Sequence, residues 1–124
     1  MELMQIMKAL SDETRTRILN LLMYSELCVG ELEHILKINQ SNTSRHLSTL
    51  KNAKLITYQK KAQWIYYKVN EEALSRYGFL KVLLKEELPS MEKYVEDIKN
   101  LNNYKDSGKS CSDLKECETT KCNG

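Results

Sequence analysis

Leu3, Ile6, Met7 and Leu10 recur at three- and four-residue steps, the spacing of one helix face, and predict a short first helix. Ser11 reads as the next N-cap, with Asp12 and Glu13 in a first turn where the helix dipole favours acid. The helix that follows turns Ile18, Leu19, Leu21 and Leu22 inward and Arg15 and Arg17 outward, and ends near Tyr24. Leu32, Ile35 and Leu36 mark a third, short helix beginning around Val29. Asn39 is a good N-cap for a fourth, from Gln40 to about Ala53. On it Thr43, Leu47 and Leu50 share one face, and Ser41, Arg45, Ser48 and Asn52 the opposite one.

The period then changes. Leu55 to Lys60 and Trp64 to Val69 are rich in β-branched and aromatic residues, with Lys61, Ala62 and Gln63 between them, and predict a β-hairpin with lysines at its tip. The turn holds no Gly or Asn, so its geometry is left open. The helical period returns at Glu71. Leu80, Leu84, Leu88, Met91, Val95 and Ile98 form a heptad-like seam that fits an internal core stripe or a dimer interface equally well. Pro89 lies inside the seam and predicts a break, with a new helix carrying the proline in its first turn. After Tyr104 the chain is polar, with Leu114 its one large aliphatic side chain. The expected division is a domain over residues 1–104 and a mobile, cysteine-containing tail over 105–124.

Charge changes the picture. The chain has 19 basic and 17 acidic residues, yet His34 to Asn70 carries seven Lys/Arg and no Asp or Glu. Such a collected positive patch attracts a polyanion by neutralising phosphates and releasing counterions. Met1 to Leu10 lacks the basic start and apolar run of a signal peptide, and no 18-residue apolar stretch occurs. The expectation is a cytoplasmic protein without a membrane partner, whose thiols stay reduced. Clustered cysteines there point to metal or redox chemistry. With no C-x-x-C, no Gly-rich phosphate loop and no nucleophile–base constellation, an enzyme such as a thiol reductase is not expected.

Glu31–Leu36, the turn Lys37–Asn39 and Gln40–Ala53 together read as a helix-turn-helix, with the lysine-tipped hairpin as a wing. Ser41 and Ser44 are small enough to let the fourth helix enter a major groove closely. Gln40 and Asn42 suit adenine, and Arg45 suits guanine or phosphate. Lys60 and Lys61 are expected on backbone charge, and His46 is included as a further DNA contact.

Several stretches resemble the ArsR/SmtB metalloregulatory repressors. Lys8-Ala9-Leu10-Ser11-Asp12-Glu13-Thr14-Arg15 is similar to the start of their second helix, and Glu26-Leu27-Cys28-Val29-Gly30-Glu31-Leu32 to the start of their third. Gln40-Ser41-Asn42-Thr43-Ser44-Arg45-His46-Leu47 matches their recognition helix, and Trp64-Ile65-Tyr66-Tyr67 their second wing strand. The resemblance runs in order over roughly residues 3 to 70. It implies a mainly α, winged helix-turn-helix homodimer, joined through its N- and C-terminal helices, that leaves double-stranded operator DNA when a metal or metalloid binds.

Of the family's third-helix cysteine site this chain keeps Cys28, with Gly30 and Glu33 at the other positions, so that site looks dismantled. The family's C-terminal zinc site needs histidines, and the two here are His34 and His46. The recognition helix contains no cysteine. Cys111, Cys117 and Cys122 remain as candidate ligands, and three soft thiolates suit As(III) or Sb(III) as inducer. Cadmium, lead or zinc stays open if Cys28, Asp113 or Glu116 adds a fourth ligand. So does a redox switch in which tail cysteines form a disulfide.

Overall fold

The computed structural model describes residues 2–117. It is a mainly helical unit with one small antiparallel sheet. In chain order the elements are α1 (Leu3–Leu10), α2 (Glu13–Tyr24), β1 (Leu27–Cys28), α3 (Val29–Leu36), α4 (Gln40–Asn52), β2 (Ile56–Lys61) and β3 (Trp64–Val69). Then come α5 (Glu71–Arg76), α6 (Gly78–Val82), a π turn (Leu83–Glu87), a 3-10 turn (Leu88–Ser90), α7 (Glu92–Asp106) and α8 (Cys111–Cys117). Ile18, Leu19, Leu21, Leu32 and Leu50 are wholly buried at the centre, where α2, α3 and α4 meet.

The α1–α2 corner is tighter than the sequence suggests. Ser11 closes α1, its hydroxyl donating to the Lys8 carbonyl at 2.6 Å. Asp12 is the N-cap of α2, its carboxylate accepting from the Arg15 amide at 3.1 Å. One residue ends the first helix and the next begins the second, so the cap moves by one position. Arg17 does not point freely outward either: its guanidinium pairs with the buried Asp97 of α7.

The predicted hairpin forms, but Lys61 joins β2 opposite Trp64 and leaves a two-residue turn of Ala62 and Gln63. Ala62 supplies the positive φ, at 57°, that a tight hairpin turn demands. The sheet gains a strand the sequence does not announce. β1 pairs antiparallel with β3, setting Leu27 against Tyr67 and Cys28 against Tyr66. The strand order is β1-β3-β2.

The heptad-like seam splits at Pro89. Leu80, Leu84 and Leu88 are core, whereas Met91 is 49% and Val95 51% exposed. Proline has no N–H to give the previous turn, and Pro89 ends the helical run in the 3-10 turn. Met91 is extended, and α7 starts afresh at Glu92, so the proline precedes the new helix rather than opening it. Where the sequence suggests a mobile tail after residue 104, α7 continues to Asp106 and α8 packs against α3.

Candidate nucleic-acid interface and thiol pair

The α3–turn–α4 corner is built by caps. α3 ends on Lys37 in the left-handed region (φ 59°), which turns the chain sharply. Asn39 then caps α4, its side-chain carbonyl accepting from the Asn42 amide at 2.8 Å. Thr43, Leu47 and Leu50 are buried as their spacing predicts. Ser41, Asn42, Ser44 and Arg45 are exposed and Gln40 is half-buried. Arg45 donates to the Asn42 side-chain carbonyl at 2.8 Å, so the two polar side chains are already oriented together. On the wing, Lys60 is exposed. Lys61 is engaged locally, its ammonium 2.6 Å from a Glu26 carboxylate oxygen and over the Tyr66 ring at 5.5 Å.

His46 is not on this surface. It is 6% exposed, because it lies three residues after Thr43 and joins the inward face. Arg15 approaches its Nδ1 at 3.3 Å. Burial lowers the proton affinity of the imidazole, and the Arg45 and Arg15 charges lower it further against the opposing pull of Asp12. The unfolded chain therefore binds a proton near pH 6.5 that the folded chain refuses. Stability is expected to fall as pH drops below about 6.5, and His46→Gln to flatten that slope. Urea denaturation between pH 5 and 8 checks it; parallel slopes for both proteins would disprove the link.

A second cluster lies at the other end of α3. Cys28 closes β1 and caps α3, its amide donating to Glu31 Oε1 at 3.0 Å. Glu31 is buried, and its other oxygen accepts from the Tyr104 hydroxyl at 2.5 Å. Burial, followed by that hydrogen bond, pushes the Tyr104 hydroxyl far above the usual phenol range. Cys28 is disulfide-bonded to Cys111 at the start of α8, with Cα atoms 6.4 Å apart. Both cysteines are buried.

The profile described as bacterial regulatory protein, arsR family, matches residues 12–58, from the start of α2 into β2. The arsenic resistance transcriptional regulator ArsR1 of Pseudomonas putida is 41% identical over 68 residues, covering 54% of this chain and 53% of that protein. The chain thus spans about half the length of that relative. The arsenical resistance operon repressor of Bacillus subtilis is 39% identical over 72 residues, covering 57% of this chain and 69% of the relative. The chain belongs to the ArsR family.

Among solved structures, the homodimeric winged helix-turn-helix DNA-binding domain Mb0332 of Mycobacterium bovis, a possible ArsR-family transcriptional regulator, superposes with a TM-score of 0.58. It is 25% identical, and the match covers 73% of this chain and 84% of that one. The ArsR-type winged helix here is thus read from α2, α3, α4 and the β2–β3 wing.

The thiols of this ArsR-family chain are arranged differently from the sequence expectation. Cys111 is paired with Cys28, at the other end of the chain's thiol set. Cys117 ends α8, and Cys122 lies outside the described residues. Among the described residues no group of three or more His, Cys, Asp or Glu comes together for a metal ion. The pairing spans 83 positions, and no local spacing could have announced it.

Proposed function

We propose that this chain is a transcriptional repressor that binds double-stranded operator DNA as a homodimer and leaves it when As(III) or Sb(III) binds cysteine thiolates. The observation that carries the reading is an α4 whose exposed face is Ser41, Asn42, Ser44 and Arg45, beside a basic wing, in an ArsR-family chain. Gln40, Lys60 and Lys61 are the remaining proposed DNA contacts. Lys61 must exchange its Glu26 partner for phosphate to serve as one. The arsenical names of the relatives support the inducer class.

Dimerisation is supported by apolar side chains left exposed on the terminal elements: Leu3 and Met7 on α1, and Phe79, Val82, Met91 and Val95 along α6 to α7. The related Mycobacterium bovis domain is itself homodimeric. Two subunits present two α4 helices, which suit half-sites about one helical turn apart. No described helix is long and apolar enough to cross a membrane. A cytoplasmic, non-enzymatic regulator is the reading that fits.

Cys111, Cys117 and Cys122 are the proposed thiolates for an inorganic trivalent ion. They carry a conformational requirement. Residues six apart on a helix stand about 9 Å apart along its axis and a third of a turn around it. Cys111 and Cys117 therefore share one ion only after α8 unwinds. Unwinding α8 strips a packed element from α3, the helix that leads into α4, and this links the ligand to DNA affinity. Such couplings run to roughly 1–3 kcal/mol, about 5–150-fold.

The test is fluorescence anisotropy of reduced protein on its promoter DNA, titrated with arsenite, antimonite, cadmium and zinc. Release by the trivalent metalloids near one equivalent per subunit is expected. Cys117→Ser should keep DNA binding and lose release; loss of DNA binding in that variant would sink the reading. The Cys28–Cys111 bond favours a second reading, a repressor switched by thiol oxidation. It predicts release by peroxide and rescue by reductant, with no metalloid needed.

A further inference from the structure

Cys28 and Cys111 line a half-open cavity of about 160 Å³, whose other walls include Val29 and, on the wing strand β3, Trp64, Ile65 and Tyr67. We propose that this pair, once reduced, binds a monosubstituted trivalent organoarsenical, with the arsenic on the two sulfurs and its organic group in the cavity. The inference rests on the thiol-sensing reading above and names a ligand class for it. Inorganic arsenite offers three exchangeable oxygens and is best satisfied by three thiolates. The Cys28–Cys111 pair itself offers two sulfurs. An arsenical R–As(OH)2 has two exchangeable oxygens and one fixed carbon, so two sulfurs complete it.

The chemistry balances. A small reducing thiol first opens the Cys28–Cys111 bond: two external thiols become one external disulfide, and both cysteines become thiols. The two S–H bonds and two As–OH bonds then break, two As–S bonds form, and two waters leave. Arsenic stays trivalent and its carbon bond is untouched. Two sulfurs that already reach bonding contact can both reach one arsenic atom with a small separation. The cavity supplies the third requirement, since an apolar cavity of roughly 150 Å³ is large enough to hold a benzene ring. Its walls also explain how occupancy would be felt. β3 is the strand that pairs with both β1 and β2, so a group lodged there touches the wing directly.

Trp64 is the chain's single tryptophan and lies in the cavity wall, so binding carries its own optical signal. The experiment uses the full chain carrying Cys117→Ser and Cys122→Ser, titrated with phenylarsine oxide or sodium arsenite and followed by Trp64 fluorescence and intact mass. Reduced protein should take up one phenylarsine per chain with a saturating change in Trp64 emission. Arsenite should need about tenfold higher concentration, the scale set by losing the buried ring. Adding Cys28→Ser should weaken phenylarsine binding by about 100-fold, because a two-point attachment becomes single.

Oxidised protein of the same sequence should form no adduct, a comparison that needs no further folded variant. Equal uptake by oxidised protein, equal affinity for arsenite, or a silent Trp64 at full uptake would each overturn the site. Promoter DNA titrated in parallel separates this proposal from the function it rests on. An adduct at the pair without DNA release upholds the site and removes arsenic control of the operator. Release of the unsubstituted chain by arsenite, with no phenylarsine adduct at the pair, overturns the site and keeps that control.

Discussion

Arg45→Glu is expected to weaken binding to operator DNA by about 100-fold or more while leaving the fold intact. Arg45 is exposed on α4, where its guanidinium donates to the Asn42 carbonyl oxygen at 2.8 Å. Removing it therefore disturbs no core contact. A base-reading or phosphate-bound arginine is worth roughly 1–3 kcal/mol, and a carboxylate at the same place adds repulsion from the backbone. Losing a phosphate contact would also make the salt dependence shallower, by about one unit in the log–log slope. Lys60→Ala should cost more than Lys61→Ala, because the Lys61 charge is already matched by Glu26. Anisotropy titrations at several salt concentrations read all three. A loss of less than about fivefold for Arg45→Glu, below the cost of one mismatched contact, would remove α4 as the recognition element.

Helix faces were legible because their signal is local. The stripe of Thr43, Leu47 and Leu50 follows from spacing alone, and all three are buried. The same arithmetic covers His46, three residues after Thr43, yet a polar side chain does not declare its side; Arg15, reaching across from α2, makes its burial tolerable. Lys61 looked like a free cation because Glu26 is distant in sequence and meets it across the sheet. The seam from Leu80 to Ile98 was regular in sequence, but Pro89 resets the helix, so Met91 and Val95 no longer follow Leu80, Leu84 and Leu88 into the core.

The thiol pair was the least legible feature. Its partners are 83 residues apart and meet only because α8 folds back on α3. In the sequence Gly30 and Glu33 occupy the neighbouring ligand positions, which leaves Cys28 at most a fourth ligand beside the tail cysteines. A second sulfur arriving from the C-terminal segment reverses that judgement on chemistry alone, since two adjacent thiols have a reactivity that one lacks.

Arg17→Met is expected to cost about 3 kcal/mol of stability, roughly a 150-fold change in the unfolding equilibrium. Arg17 of α2 grips Asp97 of α7 with two bonds, Nε to Oδ2 at 2.7 Å and Nη2 to Oδ1 at 2.8 Å. The hydrogen bond to Asp97 leads in holding the guanidinium more firmly protonated than usual. The partners differ in solvent access, with the Arg17 side chain 18% and the Asp97 side chain 3% exposed. Removing the arginine strands a carboxylate away from water, the expensive half of the pair. Asp97→Asn leaves a cation that still reaches solvent and an amide oxygen that can accept one bond, so about 1–2 kcal/mol is expected. Arg17→Met with Asp97→Leu should recover most of the loss, because neither charge is then left buried. Urea denaturation at fixed protein concentration, with unchanged slope, gives the order. A larger loss for Asp97→Asn than for Arg17→Met would mean that the guanidinium, not the carboxylate, is the group the fold has taken out of water.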